Sequence, residues 1–450
     1  MKQHSLQLKA FAAAFALALP GLCLAAASPV LTLTSTTELA GPPSCVVLNY
    51  TLEDAPGIVL FDVLTNGVSI GGANIQRVSG DVNRLVHPGG NRVVRWFPAH
   101  DWPGRQTGAG EVTYRLTALP KDHPPLYMVV DLCVRSNITY YADADFLPFG
   151  GIASDVYKAD RLAMRRIDAK GITWQMGTAT NSPANPNNAN DRLYQFPREM
   201  KHDVTLTNNY YIGVYEVTQQ QWWNIARGWT GLFTDERTYR PVENIGFNHI
   251  RGNGYYWPAE PKSDSFLGKA RAFTGLALDL PSESQWEYAA RAGHYGNRTG
   301  NGLMLLADVH LPYARYGGNS GLGKTPTIKV VEGDTTNEVE NAVGIGVDRG
   351  TAAVGSYKPN DWGLYDTIGN IWEWVLDPAK TDITANSHGE IPAITEVDLG
   401  GNNHIVVRGG CYYTGNRDIR TAFRGTAAPG TTWGGSRGFR VAYTLPNEEP

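Results

Sequence analysis

The sequence predicts an α+β fold with much irregular structure, preceded by an all-β module, and three observations carry that prediction. The chain of 450 residues is too long for one ordinary core and long enough for two. Short alternating apolar and polar runs fill roughly its first third. Ten of its twelve tryptophans, with many glycines, then fall within residues 151–450, where long periodic segments are scarce.

In chain order, the first residues carry Lys2 and Lys9, an apolar run from Ala10 to Leu19, and the small residues Ala25, Ala26 and Ala27. Residues 1–27 therefore read as a secretory signal peptide cleaved after Ala27, which makes the expected product secreted or periplasmic. Leu22 stands where a lipidation signal needs a small residue, so Cys23 is not read as a lipid anchor. No later apolar run is long enough to form a transmembrane segment. The formal charge of −4 becomes −6 once Lys2 and Lys9 are removed. Nothing in that balance favours nucleic acid as a partner.

Residues 28–141 read as a β-sandwich domain. The runs VLTLT, CVVLNYTL, GIVLFDVL, RVVRWF, EVTYRLTAL and LYMVVDLCV are separated by Gly, Pro, Asn and Asp at the spacing of antiparallel strands. Cys45 and Cys133 lie on the second and last of these runs. In an oxidising compartment a disulfide between them is the simplest pairing, either across the core of an immunoglobulin-like sandwich or at its edge. Residues 142–158 read as a linker.

From residue 159 to 450 the composition implies a domain held together by large aromatic side chains rather than by extensive helix or sheet. Two helices announce themselves by their start signals. Thr218 and Gln221 form a capping-box pattern, with Trp222, Ile225 and Ala226 on one face. Ser282 and Gln285 repeat the pattern after Pro281; Trp286, Ala289 and Ala290 supply the apolar stripe and Gly293 is placed to end the helix. Both tryptophans read as anchors to a core rather than as chemistry.

The second domain also carries a series of longer motifs. They are MG at Met176, YYIGVYEVTQQQW from Tyr210, RPVENIGFN from Arg240, LPSESQWEYAARAG from Leu280 and YARYGGNSG from Tyr313. VGSYKPNDWGLYDTIGNIWEW from Val354, VVRGGCYY from Val406, RTAFR from Arg420 and GFRVA from Gly438 follow. In this order and spacing they resemble the formylglycine-generating enzymes, also called sulfatase-modifying factors, over about residues 159–445. The resemblance implies a C-type-lectin-like sulfatase-modifying-factor domain with little regular secondary structure. The β-sandwich lies outside it.

The segment DTIGNIWEW places Asp366 and Glu373 around a glycine-containing turn, where carboxylates and backbone carbonyls suit a hard cation. Taken alone, Asp366 could equally cap the turn while Trp372 and Trp374 point into the core. The resemblance implies a structural calcium bound by the side chains of Asp366 and Glu373 and the carbonyls of Gly369 and Ile371. It further implies oxidation of a substrate cysteine in a Cys-x-Pro-x-Arg segment, using copper(I) held by two cysteine thiolates. Here that segment reads RGGCYYTGNRDIRTAFR. Cys411 stands where the family usually has serine, Thr414 stands at the first copper cysteine, and the stretch for the second is shortened.

Cys411 is thus an inert buried thiol, a residual catalytic nucleophile or ligand, or one half of an intermolecular disulfide. Arg408, Arg420, Arg424 and Arg440 read first as structural, bonding carbonyls and acids, and second as the lining of a groove. The chain contains no H-E-x-x-H helix and no His/Cys set at zinc spacing. Two functions remain: a family member diverged from copper-dependent sulfatase maturation, or a non-catalytic module that binds a protein, peptide or glycan on the same fold.

Overall fold

The computed structural model describes residues 27–41, 44–103, 111–177, 183–185, 188–192, 201–229, 231–233, 239–294, 313–317, 327–332, 335–340, 350–379, 404–415, 418–432 and 435–446. Strand predominates, helices are few and short, and much of the second half is irregular.

The N-terminal module is built from two antiparallel sheets. One orders Val30–Leu39, Cys45–Glu53, Gly89–Trp96 and Val78–Gly80. The other centres on Gly57–Thr65, paired along its length with Val112–Leu119 and at its ends with Val68–Ser69 and Arg84–Val86. Alternation decides which side chains meet between them. Val46, Leu48, Tyr50 and Leu52 point inward from one sheet, Val59, Phe61 and Val63 from the other, and Val94 and Trp96 complete the core. Each fully buried side chain of this kind contributes about 1.5–3 kcal/mol.

The last of the predicted strands goes elsewhere. Tyr127–Asp131 and Ile138–Tyr141 join Arg161–Ile167, Tyr210–Gly213 and Ala442–Thr444 in a five-stranded antiparallel sheet that forms the floor of the second half. Cys133 thus follows a strand of this sheet whereas Cys45 opens a strand of the first, and the expected bridge between them is not formed. Both are free thiols. The residues read as a linker instead carry packing: Phe146 touches both the N-terminal core and the core of the second half. A Cβ on Gly72 would lie 2.4 Å from the Phe146 backbone, so the two modules meet there without room for a side chain.

A second mixed sheet, Gly425–Ala427, Ile405–Arg408, Trp372–Pro378 and Arg437–Gly438, carries the site motifs. Both anticipated helices are present, at Gln219–Ile225 and Glu283–Arg291, each with a complete capping box. The second is buried on every side, including Glu283, Gln285, Glu287 and Arg291. Its polar residues stay inside because they are paired. Arg291 bonds Glu287, Arg408 reaches both Glu287 and Glu283, and Arg424 grips Glu283 with bonds of 2.6 and 2.7 Å. Asp377 accepts the Glu283 amide at 2.5 Å. Burial, and then the Glu283 carboxylate beside it, push the Asp377 carboxyl up to about 7.

Candidate functional site

Two glycine-rich turns lie against each other: the Gly369 amide donates to the Gly409 carbonyl at 2.8 Å. In the first, Asp366, Gly369 and Asn370 all have positive φ, at 55°, 80° and 58°. Gly369 is required there, since a Cβ would fall 2.3 Å from the Arg315 carbonyl oxygen. Asn370 then acts as a hub. Its amide donates to the Arg315 carbonyl, its carbonyl accepts from Tyr412, its side-chain oxygen accepts from Ala352, and its side-chain nitrogen donates to Glu216 at 2.6 Å.

This turn gathers buried charge. Glu373 accepts from Arg440 at 2.6 and 2.7 Å and from the Trp286 indole at 2.8 Å. Arg440 donates its remaining hydrogens to the carbonyls of Gly213, Val214 and Tyr365. Asp366 accepts the Gly355 amide through one oxygen, while the other is buried without a hydrogen-bond partner. Burial pushes Asp366 up to about 6. Glu216 is raised well above the carboxylate range by burial and then by the neighbouring Asp366 and Glu373.

Of the two side chains that the resemblance assigns to calcium, Asp366 fits a hard cation, having a spare oxygen in a region where carboxylates outnumber guanidinium groups. Glu373 fits poorly, because both its oxygens already serve charge-assisted bonds and a cation would have to share them. Gly369 and Ile371 lie in the turn and the residue that leaves it. Among the described residues no three His, Cys, Asp or Glu side chains converge to hold a metal on their own, so backbone carbonyls would have to complete any shell. Sequence reasoning missed Glu216. Its partners Asn370 and Ile371 are more than 150 positions away, and only its place in YYIGVYEV marked it.

The second turn, Gly409-Gly410, presents Cys411, Tyr412 and Tyr413. Cys411 is fully buried, and its sulfur lies 3.0 Å from the Thr414 hydroxyl, which also accepts the Cys411 amide at 3.0 Å. Burial raises the thiol, so the thiolate that binds soft metals is disfavoured. Around it, Tyr413 is 41% exposed and donates to Ser436, Tyr412 packs edge-on against Phe233, and Trp372 lies against Phe423. Copper(I) does not fit here. Its soft shell needs two thiolates, whereas the sulfur's neighbour is a hydroxyl and the other described cysteines sit in different sheets or their margins.

The arginines take up their structural role. Arg408, Arg424 and Arg440 are spent on Glu287, Glu283 and Glu373 and on carbonyls, while Arg420 lies over the Phe423 ring.

Two short strings match catalytic patterns without their context. G-x-S-x-G at Gly67–Gly71 begins in the Asn66-Gly67 hairpin turn, where Ser69 bonds Asp62 and only a three-residue 3-10 turn, Gly72–Asn74, follows in place of the α-helix that a nucleophile elbow needs. G-x-x-x-x-G-K-T at Gly318–Thr325 lies outside the described residues and precedes a strand, Thr327–Glu332, where a phosphate loop needs a helix.

The profile of the sulfatase-modifying factor enzyme 1-like domain matches residues 166–445, more than half of the chain. The chain belongs to this family. The formylglycine-generating enzyme of Streptomyces coelicolor is 32% identical over 166 residues, 36% of this chain and 46% of that protein. That of Bos taurus is 29% identical over 210 residues, 45% and 50% of the two. The chain thus spans about half the length of these curated relatives. Among solved structures, Treponema denticola variable protein 1 aligns with a TM-score of 0.43 at 23% identity, covering 64% of this chain and 96% of that one. The family match begins within the strand Arg161–Ile167 and ends at Leu445, just past the last strand of the five-stranded sheet.

Proposed function

We propose that this chain is a secreted or periplasmic family member that has left copper-dependent cysteine oxidation and uses the face around Cys411 to bind a protein segment. The observation that carries the reading is the pairing of the Cys411 sulfur with the Thr414 hydroxyl at 3.0 Å, where copper(I) chemistry needs a second thiolate. Support for a retained binding face comes from its aromatic rim. Tyr413 is exposed and Phe233 and Trp372 are half-buried, offering large, stiff contact surfaces at low entropic cost, with Tyr412 buried behind them. The C-type-lectin-like topology implied by family membership is a scaffold for such a face, and the two N-terminal sheets are taken as an immunoglobulin-like module in front of it. A structural calcium beside Asp366 belongs to the same reading, holding the turn on which Tyr412 rests.

The test is a titration of the mature protein with copper(I) against a competing chelator. The reading expects no site that outcompetes the chelator and the same curve for Cys411→Ser. A tight one-to-one site lost in that variant would defeat it.

A further inference from the structure

Glu243 is fully buried, yet one of its carboxylate oxygens has no hydrogen-bond partner. The other oxygen accepts the amides of Leu232 and Phe233 at 2.6 and 3.1 Å, and the Glu243 carbonyl accepts the Trp229 indole at 2.6 Å. The free oxygen faces Gly435, where a Cβ would approach to 3.0 Å; a Cβ on Gly231 would come within 2.3 Å of the bound one. Two glycines therefore flank the carboxylate, and aromatic rings stand close by. Phe233 packs on Tyr412 with ring centroids 5.3 Å apart, and Tyr412 feels both the Glu243 charge and Cys411. Gly435 precedes Ser436, which holds the Tyr413 hydroxyl.

A buried carboxylate oxygen without a donor is costly, and an arriving cation removes that cost. Burial raises the Glu243 carboxyl, the Phe233 and Leu232 amides and then the Arg240 charge act against that rise, and Arg240 makes no hydrogen bond to the free oxygen. Among the described residues around the carboxylate, Leu232, which donates its amide to it, is 58% exposed. We propose that Glu243 is the anionic anchor of the binding face, taking one lysine or arginine side chain from a bound peptide, with Phe233 and Tyr412 flanking its aliphatic stem. This rests on the protein-binding reading of the Cys411 face and names the chemistry of its partner.

The experiment titrates the full mature chain with N-acetyl-arginine amide, N-acetyl-lysine amide and N-acetyl-glutamine amide, followed by tryptophan fluorescence and calorimetry. Saturable binding of at least one cation, none of the neutral amide, and a tenfold or greater loss in Glu243→Gln support the proposal. Gln keeps the oxygen that Leu232 and Phe233 require, so the variant retains the fold, and an unchanged melting temperature verifies this. No saturable cation binding, or equal binding by wild type and Glu243→Gln, overturns the anchor. A purely structural Glu243 would instead lower the melting temperature of Glu243→Gln and leave no cation binding to lose. Cuprous binding in the chelator titration overturns the broader reading independently of these results.

Discussion

Neutralising Glu373 removes the acid from a buried pair while leaving Arg440 in place. Glu373→Gln preserves shape and one acceptor for Trp286, but strands a guanidinium that is 1% exposed and otherwise bonded only to carbonyls. Removing one partner of a buried pair costs about 3–5 kcal/mol. At roughly 2–4 °C per kcal/mol for a domain near this size, the melting temperature should fall by roughly 6–20 °C. Adding Arg440→Met removes the stranded charge, so the double variant should be more stable than the sum of the single losses by about 2–3 kcal/mol. Thermal melts of the four proteins, each with and without EGTA, provide the cycle. Additive losses would refute the pairing argument. A Glu373→Gln penalty that disappears in EGTA would show that Glu373 serves a cation instead.

The same chelation should lower the wild-type melting temperature, and Asp366→Asn should abolish that sensitivity; an unchanged wild-type melt would remove the cation from the Asp366 turn. Asp377 gains proton affinity on folding, from 3.8 to about 7, so the folded state holds a proton that the unfolded state has released across that window. Its contribution to stability is complete below about pH 4 and is lost as pH rises through 7. Asp377→Asn should flatten that part of the stability–pH curve and raise stability at pH 8, and an unaltered slope would contradict the assignment. Thiol labelling of denatured, unreduced protein should find Cys45, Cys133 and Cys411 all reactive, whereas labelling of Cys411 alone would restore the Cys45–Cys133 bridge.

Local signals carried much of this fold. The capping residues at Thr218 and Ser282 need only a neighbour three positions away, and both helices begin where those pairs place them. Strand alternation likewise located the core of the N-terminal module from Val46 to Leu52. What alternation could not supply was the partner. LYMVVDLCV reads as a strand on any sheet, and only the later Arg161–Ile167 and Tyr210–Gly213 strands claim it for the second half. The same limit applies to charge. Glu283 and Glu287 look like the solvent face of a helix until Arg408 and Arg424, more than 120 residues on, turn them inward. Glu243 had no signal of its own within RPVENIGFN. Its significance lies in the two glycines and the loop that fold around it.

A sulfur paired with a hydroxyl does not support cuprous oxygen chemistry. Purified protein incubated with copper(I), oxygen and a Cys-x-Pro-x-Arg peptide, followed by mass spectrometry of the peptide, tests this directly. The peptide should be recovered with its cysteine unconverted. Aldehyde that forms with wild type and is lost with Cys411→Ser would contradict the claim.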